Sequence, residues 1–159
     1  MPSDTVTILT SVGLPLQKRF NLEAGCWQTQ ALRLPRMYDC KTKNIGDFDA
    51  MGELIRSLCP EPSRAIISGK LKQHIDPTAV TRTKENFEPQ PHRWIMLDID
   101  GVEAQSGRTM SELSDEELLA EAVQYLPAEF QQAKCWYHLS SSMGIKPGIR
   151  VHLWYWLDR

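Results

Sequence analysis

The run RWIMLDID (residues 93–100) constrains this chain more than any other stretch. Its apolar residues read as a central β-strand that Gly101 is expected to close. Side chains alternate along a strand, so Asp98 and Asp100 share one face about 6.5–7 Å apart, with Leu97 and Ile99 on the other. The preceding WIML draws the pair toward a sheet interior, where unpaired carboxylates are costly. Two carboxylates placed this way can bind one or two hard divalent cations through oxygen. The plainer alternative is a strand end whose aspartates face water or cap the turn at Gly101.

The remaining pattern is mixed. DTVTILTS (4–11) and SRAIISGKL (63–71) read as strands, the second interrupted near Gly69, while the stretch around LPLQKRFNLEAGCW is turn-rich and basic. FDAMGELIRSLC (48–59) has helical apolar spacing with Asp47 or Asp49 near its start, and Pro60 and Pro62 end it. Residues 73–92 form a long, proline-punctuated connection. SDEELLAEAVQYL (114–126) is the clearest helix, opened by a Ser114/Glu117 capping box, and AEFQQA adds a short helical turn. KCWYHLSS (134–141) and IRVHLWYWL (149–157) are strands joined by a loop short enough for a hairpin. Trp94 and Trp136 are expected in the core, and Trp154 and Trp156 lie on the His152 face. The expected fold class is α+β: a mixed, mainly antiparallel sheet with helices packed on one side, in a single domain over 1–159.

At 159 residues, 42% hydrophobic and 24% charged, the chain has the make-up of a globular domain with a core. No apolar run approaches the roughly 20 residues of a membrane span, and the N-terminus lacks a secretory pattern, so a cytoplasmic protein is expected. The four cysteines form no C-x-x-C pair and are expected to be free, mostly buried thiols. A net charge of −2 excludes coating of nucleic acid by bulk attraction. Charge is nonetheless segregated. Lys18, Arg19, Arg33, Arg36, Lys41 and Lys43 face only Glu23 and Asp39 in residues 18–43, whereas Arg108 is the only basic residue in 98–129.

A second constellation is SSSMGIKPGIRVHLW (140–154). Its small residues expose backbone N–H groups, its hydroxyls can donate to phosphate, and Lys146 and Arg150 supply charge, so a triphosphate is a plausible ligand. It is not a P-loop, because G-x-x-x-x-G-K-[ST] is absent and a strand follows. Taken alone, a solvated hairpin loop and a hydrogen-bonded core His152 explain it better than a ligand site does.

Together, IMLDID and SSSMGIKPGIRVHLW resemble the first two motifs of the archaeo-eukaryotic primase superfamily, in its primase-polymerase branch found on plasmids, phages and integrated elements. The likeness extends more loosely to ILTSVGLPLQKRF, AIISGKL and VTRTKENFEPQPHRW. It implies an RRM-like catalytic half and metal-dependent nucleotidyl transfer, in which a 3′-hydroxyl attacks an α-phosphate and pyrophosphate leaves during primer synthesis or extension. By this resemblance Asp98 and Asp100 hold Mg²⁺ or Mn²⁺, and His152 contacts the nucleotide phosphates. Ser141, Ser142, Lys146 and Arg150 would line the phosphate site. Nucleoside triphosphates, a single-stranded DNA template and a helicase domain or protein are the implied partners, with no membrane.

Two departures stand out. Arg150 occupies the place where the family often has serine, and the third family carboxylate has only Asp158 as a candidate. On a straight strand Asp158 lies about 20 Å from His152. A domain truncated at its C-terminal end is therefore expected. A catalytically inactive, nucleic-acid-binding remnant is one alternative. The other is a haloacid-dehalogenase-type phosphatase, whose nucleophile loop LDIDGV resembles, with Asp98 attacking and Asp100 as acid/base.

Overall fold

The computed structural model describes residues 4–30, 33 and 35–157. It is α+β and mainly antiparallel, with three α-helices among the described residues, as the alternation and capping signals require. In chain order the elements are β1 (Asp4–Ser11), β2 (Arg19–Glu23), β3 (Cys26–Gln30), β4 (Met37–Ile45), α1 (Phe48–Leu58), β5 (Arg64–Ile67), β6 (Gly69–Leu71), β7 (Val80–Thr81) and β8 (Phe87–Pro89). There follow β9 (Trp94–Val102), a 3-10 turn (Met110–Glu112), α2 (Asp115–Val123), α3 (Ala128–Gln131), β10 (Cys135–Leu139) and β11 (Ile149–Trp156).

The chain divides into two compact units. One comprises the residues up to Asn21 together with Gln28–Arg93, the other Leu22–Trp27 and the residues from Trp94 onward. In the first, an antiparallel sheet has the order β5-β1-β4-β7. Leu9 joins Ile67, Val80 and Phe87 in one core cluster, while the alternate residues Val6 and Ile8 are buried toward the other face. Asp47 caps α1 by accepting from Ala50 N at 2.8 Å, and the helix buries Met51, Leu54 and Ile55 on one stripe. The long connection holds β7 and β8, and the turn-rich basic stretch holds the β2–β3 pair, which alternation alone did not reveal. Ala24 and Gly25, both at positive φ (49° and 78°), form the tight turn between β2 and β3.

Asp4 ties the start of β1 to the last residues of this unit. Its carboxylate accepts from Thr5 N (2.6 Å), from the Arg93 backbone N–H and from His92 Nδ1 (3.2 Å). His92 Nε2 reaches Ser68 O at 2.7 Å, and Gln90 donates to Thr5 Oγ1 at 2.7 Å. The His92 and Asp4 side chains are only 7% and 9% exposed.

In the second unit β10, β11 and β9 form an antiparallel three-stranded sheet with β11 in the middle. Ile99, Val151, Leu153 and Tyr155 face one side and pack with Leu113, Leu118 and Ala122 of the helical segment. Ser114 and Glu117 form the expected reciprocal cap of α2. The segment entering α2 is pinned by Arg108 to Glu117 (2.6 Å) and by Gln105 N to Glu121 (2.7 Å).

Three expectations are corrected. β9 does not end at Gly101 but runs to Val102 through a bulge, where φ of Gly101 is 85°. The cysteines are free but not mostly buried: Cys26 and Cys59 are exposed, and Cys40 and Cys135 are half-buried. Asp98 and Asp100 are not drawn into an interior, because α2 covers only the opposite face of their sheet. Among the described residues no helix is long and apolar enough to cross a membrane.

Replacing Asp4 removes the acceptor of the Arg93 N–H and of His92 Nδ1 in a nearly closed environment, although His92 keeps its contact with Ser68 O. Asp4→Ala is therefore expected to cost about 2–4 kcal/mol, at about 1–3 kcal/mol per buried group left without a partner. Urea denaturation measures this, and a loss below about 1 kcal/mol would contradict the anchoring role.

Candidate active site

The candidate residues converge on the face of the β10-β11-β9 sheet that turns away from α2. Antiparallel register places His152 directly opposite Asp98 on one side and His138 on the other. The three side chains thus form one row across three strands. Asp98 Oδ1 lies 3.4 Å from His152 Nε2, and His152 Nδ1 lies 2.7 Å from His138 Nε2. The imidazoles meet edge to face, with centroids 4.6 Å apart and planes at 69°.

The next row toward the loop pairs Asp100 with Arg150 in a direct ion pair. Arg150 Nε also donates to Pro147 O at 3.2 Å, which holds the guanidinium against the loop. On the other side of the histidine row, Met96, Trp154 and Trp136 are cross-strand neighbours, and Trp94 packs on Trp154 at 5.8 Å between centroids.

Two glycines make the Asp100–Arg150 contact possible. A Cβ on Gly148 (φ 78°) would lie 2.6 Å from the Gly101 carbonyl carbon. One on Gly101 would lie 2.9 Å from Arg150 Nη2. The loop backbone and the bulge therefore approach more closely than any other residue pair would allow.

The serine loop separates into two roles. Ser142 is 2% exposed, its hydroxyl lies 3.1 Å from that of Ser140, and its carbonyl accepts from Ile145 N and Lys146 N. It holds the turn together rather than facing a ligand. Ser141 and Lys146 are exposed beside it, on the loop that delivers Arg150 and His152 to the sheet. Asp158 lies outside the described residues.

Electrostatics differ along the histidine row. Burial, with the neighbouring His152 as a smaller cause, pushes His138 down to about 4, against an opposing pull from Asp98. His138 is therefore neutral at physiological pH. Its Nδ1 is buried without a hydrogen-bond partner. On the opposite face burial also raises the Tyr155 phenol and the Cys135 thiol.

For a metal ion, the donors are two carboxylates whose side chains are 57% and 65% exposed, on one face of one strand. Mg²⁺ and Mn²⁺ favour oxygen donors, and Mg²⁺ usually keeps several waters, so this donor set fits such an ion in part. Among the described residues no group of three or more His, Cys, Asp or Glu side chains converges to hold a metal.

His138 is the site residue that reading the sequence missed. The hairpin between KCWYHLSS and IRVHLWYWL was legible, and pairing its strands symmetrically about the loop would have set His138 against His152. No family model, curated protein or solved structure matches the chain.

Folding places His138, ordinarily near 6.5, in surroundings that lower it to about 4, so the unfolded chain binds the extra proton first. Its contribution to stability is complete above about pH 6.5 and is lost as pH falls toward about 4. Denaturation midpoints across that range should fall for the wild type and flatten for His138→Phe; parallel curves would contradict the burial. Gly148→Ala adds both a backbone clash and a left-handed alanine, and should cost roughly 2–4 kcal/mol in chemical denaturation. A neutral effect would mean that the bulge and loop are not in close contact.

Proposed function

We propose that the β10-β11-β9 sheet is the RRM-like catalytic half of a primase-polymerase domain, which carries out divalent-metal-dependent nucleotidyl transfer. The observation that carries this reading is the cross-strand row Asp98–His152–His138, set beside Asp100–Arg150 and the Lys146 loop. Carboxylates for a cation and nitrogen donors for phosphate thus lie side by side on one face of the sheet. The order of the two constellations along the chain and the α2 segment between them also support it.

In this reading Asp98 and Asp100 hold Mg²⁺ or Mn²⁺, which would supply charge to the attacking and leaving oxygens of the phosphoryl group. The protein's own residues orient the nucleotide. His152 presents Nε2 next to Asp98, where a phosphate oxygen can accept from it, and Lys146 and Ser141 offer charge and a hydroxyl from the loop. Arg150 is already held by Asp100 and Pro147 O, so it would act on phosphate only by exchanging partners. A single-stranded DNA template is the proposed partner of the basic 18–43 segment, whose β2–β3 hairpin exposes Trp27 and Leu22. A helicase partner, a cytoplasmic location and a role in replicating a mobile element belong to the same proposal.

The second reading, a nucleic-acid-binding remnant, is favoured by one observation: Asp100 is neutralised by Arg150 rather than left open to a cation. The phosphatase alternative implies a doubly wound parallel sheet, and the pairing around Asp98 is antiparallel.

Mn²⁺ titration with a labelled nucleoside triphosphate tests the proposal. Asp98→Ala and His152→Ala should each weaken metal-dependent binding by about 10- to 100-fold, the scale of a lost charged hydrogen bond. Lys146→Ala should weaken it less. Primer extension on single-stranded DNA that disappears in the same variants supports catalysis. Salt-sensitive DNA binding without nucleotide binding supports the remnant, and phosphate release from p-nitrophenyl phosphate would favour the phosphatase.

A further inference from the structure

We propose that His138 is a positioning residue that locks His152 in the tautomer carrying its proton on Nε2. That nitrogen faces Asp98, so an anionic group arriving there meets a fixed N–H donor. Identifying the anion as a nucleotide phosphate rests on the function proposed above; the tautomer itself does not.

A separation of 2.7 Å between His152 Nδ1 and His138 Nε2 requires one proton between the two nitrogens. Suppose that His152 supplies it from Nδ1. His138, kept neutral by burial, then carries its own proton on Nδ1, which is buried with no hydrogen-bond partner. Neutral His152 would also turn an Nε2 lone pair toward the Asp98 carboxylate. Protonating both nitrogens of His152 relieves the second conflict but leaves the first, because His138 must still accept at Nε2.

Suppose instead that His138 donates from Nε2. Its buried Nδ1 then presents only a lone pair, and buried N–H groups without partners are rarer than under-satisfied acceptors. His152 accepts at Nδ1 and keeps its proton on Nε2, aimed at Asp98 Oδ1 3.4 Å away. Every donor in the row then has an acceptor: His138 donates to His152, and His152 donates to Asp98. The orphaned nitrogen of His138 thus fixes the direction of the whole row.

Long-range proton–nitrogen correlation spectra of the full chain with isotope-labelled histidine read the tautomers directly, without any ligand. The wild type should show His152 protonated on Nε2 and accepting at Nδ1. His138→Phe removes the donor and should give a mixture of His152 tautomers. His138→Gln keeps an N–H that can reach His152 Nδ1 and should restore the single form. Spectral dispersion confirms folding, and if His138→Phe does not fold, the wild-type and His138→Gln spectra decide alone.

With Mn²⁺ and labelled ATP as the probe, His138→Phe should bind about five- to tenfold more weakly, the scale of one ordinary hydrogen bond, and His138→Gln close to the wild type. A wild-type His152 protonated on Nδ1, or an unchanged Nε2 form in His138→Phe, would overturn the proposal. If the tautomers follow expectation but not even the wild type binds Mn²⁺-ATP, the lock stands and the nucleotidyl-transfer reading fails.

Discussion

The pairing of β9 with β11 is the constraint on which the C-terminal sheet depends, because one register satisfies both of its faces. With His152 opposite Asp98, the intervening residues Ile99, Val151 and Leu153 meet Leu118 and Ala122 on the helical side. A slip of β9 by one residue would turn Asp98 and Asp100 into that core and expose Leu97 and Ile99. Burying charge without partners is far costlier than losing a few cross-strand contacts, so the apolar face dictates where the polar row sits. The site geometry is therefore a by-product of core packing. The bulge at Gly101 marks where this register ends, and Gly148 lets the loop close over it.

Within that frame the polar groups are graded by burial. Asp98 and Asp100 keep much of their hydration at the sheet edge, His152 is intermediate, and His138 is buried enough to be neutral. The row therefore runs from a solvated anion to a desolvated neutral base. Such a gradient gives His152 one partner it can exchange for a ligand and one that it cannot.

Several alternating or capped segments were legible because a single local rule covers each of them, whereas the nine-residue, mostly polar β4 was not read. DTVTILTS, FDAMGELIRSL and SDEELLAEAV fall where alternation, the Asp47 cap and the Ser114 capping box put them. β7 and β8, two and three residues long, carry too little pattern to be read, because their pairing comes from tertiary context. The site shows the same division. The i, i+2 spacing placed Asp98 and Asp100 on one face, and alternation put His152, Arg150 and Trp154 on one face of β11. Which side α2 would cover was not legible, so the aspartates were expected inside a sheet and lie exposed. Ser142 resembled its neighbours until the turn enclosed it, and His138 acquires meaning only from the β10–β11 register.

The Asp100–Arg150 ion pair bears most directly on whether this face can hold a cation. If the pair were fully desolvated, releasing Asp100 would strand a buried guanidinium at a cost of about 3–5 kcal/mol, enough to oppose a weakly bound ion. The observed situation is milder, since the Asp100 side chain is 65% exposed. Pairs solvated at both ends contribute about 0–1 kcal/mol; here the carboxylate end is solvated while the Arg150 side chain is 15% exposed, and it keeps its bond to Pro147 O when Asp100 turns away. A divalent ion shared by Asp98 and Asp100, as proposed, would also offset the repulsion between two like charges on one strand face, which Arg150 relieves only at Asp100. The ion pair is therefore a readily exchanged contact. An arginine released beside an arriving triphosphate would find a phosphate oxygen in place of the carboxylate, so its charge stays compensated throughout the exchange.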